Sequence, residues 1–272
     1  MADKSKRKTG LMRLDKFLVE MGNGTRSQVK EMVKKGRVQV NGQVVKASDI
    51  KIDPETDSVL ADNRAVEYAR MEYYMLNKPK GVVSATEDKK YPTVVSLIED
   101  ALRGDLFPVG RLDLDTEGLL LITNDGELAH NLLSPRKHVD KVYLAHISGR
   151  LEPDAEKRFG EGIRLEDGAM TLPAGLERVG VIERAGATER VDMTGRADMT
   201  GTMEEVRITI REGKFHQIKR MFEALGCRVE YLKRLSMGPL ELDPKLEPGQ
   251  YRPLTPEEET AVKDCGNRQT RV

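Results

Sequence analysis

Residues 106–133 read LFPVGRLDLDTEGLLLITNDGELAHNLL. Two carboxylates, Asp113 and Asp115, follow a Gly110-Arg111-Leu112 turn, and Thr116-Glu117-Gly118 leads into the apolar run 119–122. That run is short and closed by Asn124-Asp125-Gly126, a strong turn signal, so it reads as a buried strand. Residues 127–133 read as a helix, with Asn124 or Asp125 placed to cap its first amides. An acid in a polar loop just ahead of a buried strand is held by a rigid element yet open to solvent, a favourable place for chemistry. Taken alone, an Asp-x-Asp in a loop is more often a pair of turn formers, here salt-bridged to Arg111. The rest of the chain decides between the two readings.

The chain has 272 residues, enough for one large or two moderate domains. With 33% charged and 38% hydrophobic residues it reads as a soluble protein with a polar surface. No apolar run approaches the roughly 20 residues that span a bilayer, so no membrane partner is expected. The opening MADKSKRKTG is basic but lacks the apolar core of a secretory signal. Cys227 and Cys265 make no disulfide framework, which fits a reducing cytoplasm. The net charge of zero hides an asymmetry: residues 1–50 hold 12 Lys/Arg against 5 Asp/Glu, and the remainder 33 against 40. A basic segment joined to a mildly acidic body suggests that the small part docks a polyanion.

Residues 1–10 read as a disordered basic tail. Residues 11–21 carry Leu14, Phe17, Leu18 and Met21 at helical spacing, and Gly22-Asn23-Gly24 ends that helix. Thr25 starts a second helix, with Gln28 completing a capping-box pattern. Its Val29, Met32 and Val33 face inward, leaving Arg26, Lys30, Lys34 and Lys35 outside. Val38 and Val40 alternate as a strand, and Asn41-Gly42 turns it into a hairpin. Helix, basic helix and the hairpin Gly36-Arg37-Val38-Gln39-Val40-Asn41-Gly42 together resemble the small RNA-binding module of a ribosomal small-subunit protein and some tRNA synthetases, the S-four fold. The resemblance covers residues 12–60 and implies phosphate contacts at Arg13, Arg26, Ser27, Lys30, Lys34 and Arg37.

Residues 53–70 are polar and read as a linker with one short strand. Beyond them, strands are expected at 73–76, 82–83, 141–147, 206–210 and 229–235, and helices at 94–102, 153–159, 214–225 and 256–262. Residues 183–202 show no periodicity and read as a flexible insertion. Strands and helices do not alternate regularly, so the class is α+β with a mixed, mainly antiparallel sheet rather than a doubly wound one. The expected order is tail 1–10, RNA-binding domain 11–60, linker 61–70, a second domain 71–255, and C-terminal helix and tail 256–272.

The four histidines are scattered and no Cys-x-x-Cys or His-x-x-x-His pair exists, so no metal is expected. Neither a phosphate-cradling glycine loop nor a Gly-x-Ser-x-Gly elbow appears. What remains is the Asp113 loop and residues 211–234, which hold seven Lys/Arg against three acids.

Three blocks connect them: Tyr74-Met75-Leu76-Asn77-Lys78-Pro79-Lys80-Gly81, the 110–126 stretch, and Glu212-Gly213-Lys214-Phe215-His216-Gln217-Ile218-Lys219-Arg220-Met221-Phe222. With Lys141-Val142-Tyr143 between them and the basic module in front, residues 12–255 resemble an RsuA-type rRNA pseudouridine synthase. The resemblance implies that Asp113 is the nucleophile, that Tyr143 stacks on the target uracil, that Lys219 pairs with the carboxylate, and that Leu232 packs beneath the base. It further implies RNA contacts at Arg111, Lys214, His216 and Arg220, while Asp115 is read as structural. Uridine isomerisation oxidises nothing and transfers no group, so no cofactor is expected. The implied protein is a cytoplasmic monomer acting on rRNA or a pre-ribosomal particle. The Asp113-Leu114-Asp115-Thr116 loop, the Ser134-Pro135-Arg136 turn and the lack of a long basic C-terminal extension resemble the small-subunit branch. A large-subunit rRNA enzyme and a non-catalytic ribosome-assembly factor are the competing readings.

Overall fold

The computed structural model describes residues 10–134, 137–183 and 202–267. The expected tail up to Thr9, the turn residues Pro135 and Arg136, and residues 184–201 of the expected insertion lie outside the described residues. The fold is α+β, in two compact units: Met1–Glu72 with Ile98–Phe107, and Tyr73–Leu97 with Pro108–Val272. Among the described residues no helix is long and apolar enough to cross a membrane.

In the first unit, Leu14, Phe17, Leu18, Val29 and Val33 meet in a core with Val38, Ile52 and Val59. Each such side chain contributes about 1.5–3 kcal/mol of burial. The first helix is Leu14–Glu20, shorter than expected, because Met12 and Arg13 pair as a strand with Ile52 and Lys51. The second, Arg26–Lys34, carries the capping box: Thr25 Oγ1 accepts from Gln28 N and Gln28 Oε1 from Thr25 N. Asn41 and Gly42 both have positive φ, as the hairpin turn requires.

Residues 61–70 are not a plain linker. Leu60 and Ala61 pair with Ala65 and Arg64 around an Asp62-Asn63 turn, both residues at positive φ. That turn is made without glycine, so its signal was weak. Residues 98–107 return to this unit rather than continuing the catalytic domain. The helix expected at 94–102 is only a 3-10 turn, Val95–Leu97. Ser96 Oγ bonds back to Thr93 O at 2.8 Å, and Glu72 takes the amides of Leu102 and Arg103, so side chains replace the helical ladder. Gly104 sits against Gly22: a Cβ on Gly104 would stand 2.7 Å from Gly22 Cα.

In the second unit, strands among the described residues follow the order Gly175–Glu183, Thr202–Ile210, Lys141–Ser148, Arg228–Met237, Glu117–Thr123, Tyr73–Lys78, Tyr251–Pro253. Neighbours in this order are antiparallel except Arg228–Met237 beside Glu117–Thr123, which pair in parallel over Lys233–Arg234 and Glu117–Gly118. Gly118 has φ +103, and a Cβ there would stand 2.2 Å from Arg234 O. Only glycine lets the two halves of the sheet join at this point.

Strand Gly175–Glu183 is unforeseen in the sequence; most of its residues are exposed and lack the inward row that reveals a strand. The expected insertion therefore falls between two paired strands. Residues 82–83 give a bridge from Val83 to Thr93 rather than a strand. The last helix runs Pro256–Asn267, longer than expected, and packs on Gly126–Leu133. Asp125 caps that partner helix through Leu128 N at 2.9 Å and accepts from the Tyr73 hydroxyl at 2.8 Å.

Candidate active site

The strand Lys141–Ser148 alternates buried and half-buried residues, so Lys141, Tyr143, Ala145 and Ile147 share one face. Residues opposite each other across a sheet point the same way, which adds Ile208 and Ile210 from one neighbour and Leu232 and Arg234 from the other. A cleft opens on this face. Tyr143 and Leu232, each 6% exposed, line it with Asp113, Thr116, His216 and Lys219. The Tyr143 hydroxyl has no hydrogen-bond partner among the described residues.

Asp113 stands on a loop that is braced throughout. Thr116 N donates to Asp113 O at 3.1 Å, and Gly81 N to Leu114 O at 2.8 Å. Ser84 Oγ bonds both the amide and the carbonyl of Leu112 at 3.0 Å. Lys78, fully buried, donates to Thr116 O at 2.9 Å and Pro79 O at 3.0 Å. Burial pushes its ammonium down to about 8, against the pull of Asp115, Asp113 and Glu117. The block around Lys78-Pro79 is thus the cradle of the Asp113 loop. Lys78, Ser84 and Thr116 were not singled out from the sequence. The signal for Lys78 was its place in the block 74–81, at the end of a strand that carries the apolar Tyr74-Met75-Leu76.

The charge partner arrives from the helix Gln217–Glu223. Lys219 Nζ lies 3.3 Å from Asp113 Oδ2 and 2.6 Å from Asp115 Oδ1. Asp115, expected to be only structural, therefore takes the shorter contact. Burial pushes its carboxyl up, but the hydrogen bond and charge of Lys219 outweigh this and hold it below the usual range. Arg111 lines the cleft but forms no ion pair among the described residues, so the local Arg111–Asp pairing is not what forms. Arg220 turns away from the cleft and pairs with Asp167 at 2.5 Å. Lys214 lines the cleft and is paired with Glu212.

The helix begins at Gln217, not at Lys214 as its spacing suggests, because His216 takes a left-handed conformation (φ 47°, ψ 33°) at its N-cap. His216 Nε2 comes within 3.6 Å of Asp113 Oδ1. Among the described residues no three His, Cys, Asp or Glu gather into a metal-holding cluster.

The expected RNA contacts of the first unit divide in two. Arg26, Ser27, Lys30 and Lys34 are exposed, and the three cations form no ion pair among the described residues. Spaced four apart, those cations share one helix face. Arg13 and Arg37 are already held, by Asp15 at 2.8 Å and by Asp62 at 2.5 Å.

Comparison with known proteins now decides the lineage. Residues 72–224 match the RNA pseudouridylate synthase family, and residues 12–56 match the S4 domain. The chain belongs to the RNA pseudouridylate synthase family. It is an enzyme of the pseudouridine synthase class with an S4 domain in front. Relatives include an uncharacterized RNA pseudouridine synthase of Bacillus subtilis, 44% identical over 91% of this chain and 96% of that one. Another is ribosomal small subunit pseudouridine synthase A of Yersinia pestis, 40% identical over 92% and 98%. A crystal structure of a pseudouridylate synthase, 36% identical, superposes with a TM-score of 0.59 over 92% of this chain and 99% of that one.

Proposed function

We propose that this protein converts a uridine of small-subunit rRNA to pseudouridine, with Asp113 as nucleophile. The observation that carries this reading is the Asp113 carboxylate on its braced loop, 3.3 Å from the Lys219 ammonium and lining one cleft with Tyr143 and Leu232. In the reaction the bond from C1′ to N1 breaks, the base turns, and C5 bonds to C1′. The C5 proton leaves and N1 takes one up. Asp113 assists by forming and then releasing a covalent bond, to C1′ of the sugar or to C6 of the base. The uracil leaves its stack to reach the cleft, and the Tyr143 ring holds it there, over Leu232. Lys219, 3.3 Å away, holds the Asp113 carboxylate aimed.

The S4 unit supplies affinity. Arg26, Lys30 and Lys34 neutralise phosphates without reading sequence. The protein works as a cytoplasmic monomer on rRNA or a pre-ribosomal particle. The small-subunit assignment is supported by the Yersinia relative named for that activity at 40% identity.

Pseudouridine mapping of rRNA from a strain lacking the gene is the test. Loss of one small-subunit pseudouridine supports the proposal. Loss of a large-subunit site moves the target to the other subunit, and an unchanged map makes the protein a binding factor only.

A further inference from the structure

Phe215 is the most exposed large apolar side chain among the described residues, at 75%. Its ring is nevertheless ordered by a neighbour. It stacks on His216 with centroids 3.7 Å apart and planes inclined by 21°. The loop beneath is pinned: Gln217 Oε1 accepts from Lys214 N at 2.9 Å, and Gln217 Nε2 donates to Glu212 Oε1 at 2.9 Å. Gln217 itself is 4% exposed. His216, between Phe215 and Gln217, takes a left-handed backbone, which histidine adopts more readily than most non-glycine residues. An exposed aromatic face, stacked on a histidine that lines the cleft, points to a ligand outside the protein.

The chemistry of that ligand follows from the surroundings. Lys214, His216 and Arg111 all line the adjoining cleft, so the polyanion entering it passes Phe215. A flat apolar face on such a path suits an unpaired nucleobase. It is not the base that reacts. That base goes to Tyr143, inside the cleft, whereas Phe215 is not part of the cleft lining. We propose that the Phe215 ring, backed by His216, is a stacking platform for an unpaired base adjacent to the target uridine. The inference rests on the reading that the cleft receives a flipped uridine. It adds a second base site and a reason for the order Lys214-Phe215-His216: cation, platform, backing ring.

The chain contains no tryptophan, so Phe215→Trp introduces a single fluorophore at the proposed platform. The substrate is the rRNA fragment, from either subunit, whose uridine the parent enzyme converts; the choice of subunit therefore does not enter the test. Three results are expected. Tryptophan fluorescence at 215 is quenched by that fragment, and the quenching is lost when the flanking nucleotides are made abasic. Phe215→Ala and Phe215→Leu raise KM by about 5- to 150-fold, the range for one base stack, with a smaller change in kcat. Phe215→Trp and Phe215→Tyr restore KM. Fluorescence unmoved by a fragment that the tryptophan variant converts, or a Phe215→Leu enzyme with the parent's KM, overturns the proposal.

Discussion

Lys219 Nζ bridges two carboxylates, 2.6 Å from Asp115 Oδ1 and 3.3 Å from Asp113 Oδ2. The proposed nucleophile thus shares its cation with a more exposed acid two residues away. Because Arg220 is engaged with Asp167, the sharing cannot be relieved by the neighbouring cation.

Single-turnover rates test this arrangement. In Lys219→Ala the chemical rate falls strongly, because Asp113 loses the cation that aims it. Lys219→Arg retains partial activity. Asp115→Asn should keep most of the rate, since Lys219 is then left to Asp113 alone. A rate that falls in Arg220→Ala but not in Lys219→Ala would transfer the role to Arg220.

Asp113→Asn keeps size and most hydrogen bonding but removes the nucleophilic charge. Conversion should drop below detection while RNA affinity stays within a few-fold of the parent. Appreciable product in a single turnover with excess enzyme removes Asp113 from the role of nucleophile.

Replacing Arg26, Lys30 and Lys34 together by Ala should flatten the log–log salt dependence of RNA binding by about 2, at roughly 0.7 to 0.9 per phosphate contact. The chemical step on saturating RNA should change little. An unchanged slope means that this helix face meets only solvent.

Gly118→Ala should lower stability by about 3 kcal/mol or more, combining a disfavoured φ with a backbone clash at the parallel strand pair. Activity should fall with it, since that pair joins the Asp113 loop to the strand of Leu232. Gly126→Ala is the control, because a Cβ there meets nothing within 4 Å. Denaturation midpoints of the two variants compare them directly.

Lys78 and Lys141 are both pushed down to about 8, chiefly by burial. An unfolded chain keeps such a proton up to about 10.5. Between these values the unfolded state binds more protons, so stability rises with pH, by up to about 3 kcal/mol per lysine, and is flat below. Denaturant titrations at pH 7.5 and 9.5 should show this rise in the parent and a smaller one in Lys141→Met. An equal rise in both shows that Lys141 does not contribute.

The chain announces its local elements clearly. Leu14, Phe17 and Leu18 at helical spacing, the Thr25–Gln28 capping box, the Asn41-Gly42 turn and the apolar run 119–122 each act within a few residues, so their physics is readable along the sequence. The cradle of Asp113 was half legible. The block at Lys78-Pro79 stood out, but the burial of Lys78 under Thr116 joins residues 38 positions apart. The start of the last site helix was misread because the left-handed turn at His216 is a backbone choice that hydrophobic spacing does not record.

The sequence by itself determined two modules, the α+β class, the helix carrying Lys219 and the loop carrying Asp113. Only the tertiary structure decided which charges meet. Lys219 and Asp115 are 104 positions apart, and the sheet brings them to 2.6 Å. Arg37 was indistinguishable by composition from Lys30, yet it finds Asp62, 25 positions away, and Lys30 forms no ion pair among the described residues. Strand Gly175–Glu183 was invisible because an edge strand gains its hydrogen bonds from a neighbour and needs no inward row of its own. Periodicity records what one segment must bury. Ion pairing and edge pairing depend on where the other segment lands, and that is a property of the folded sheet.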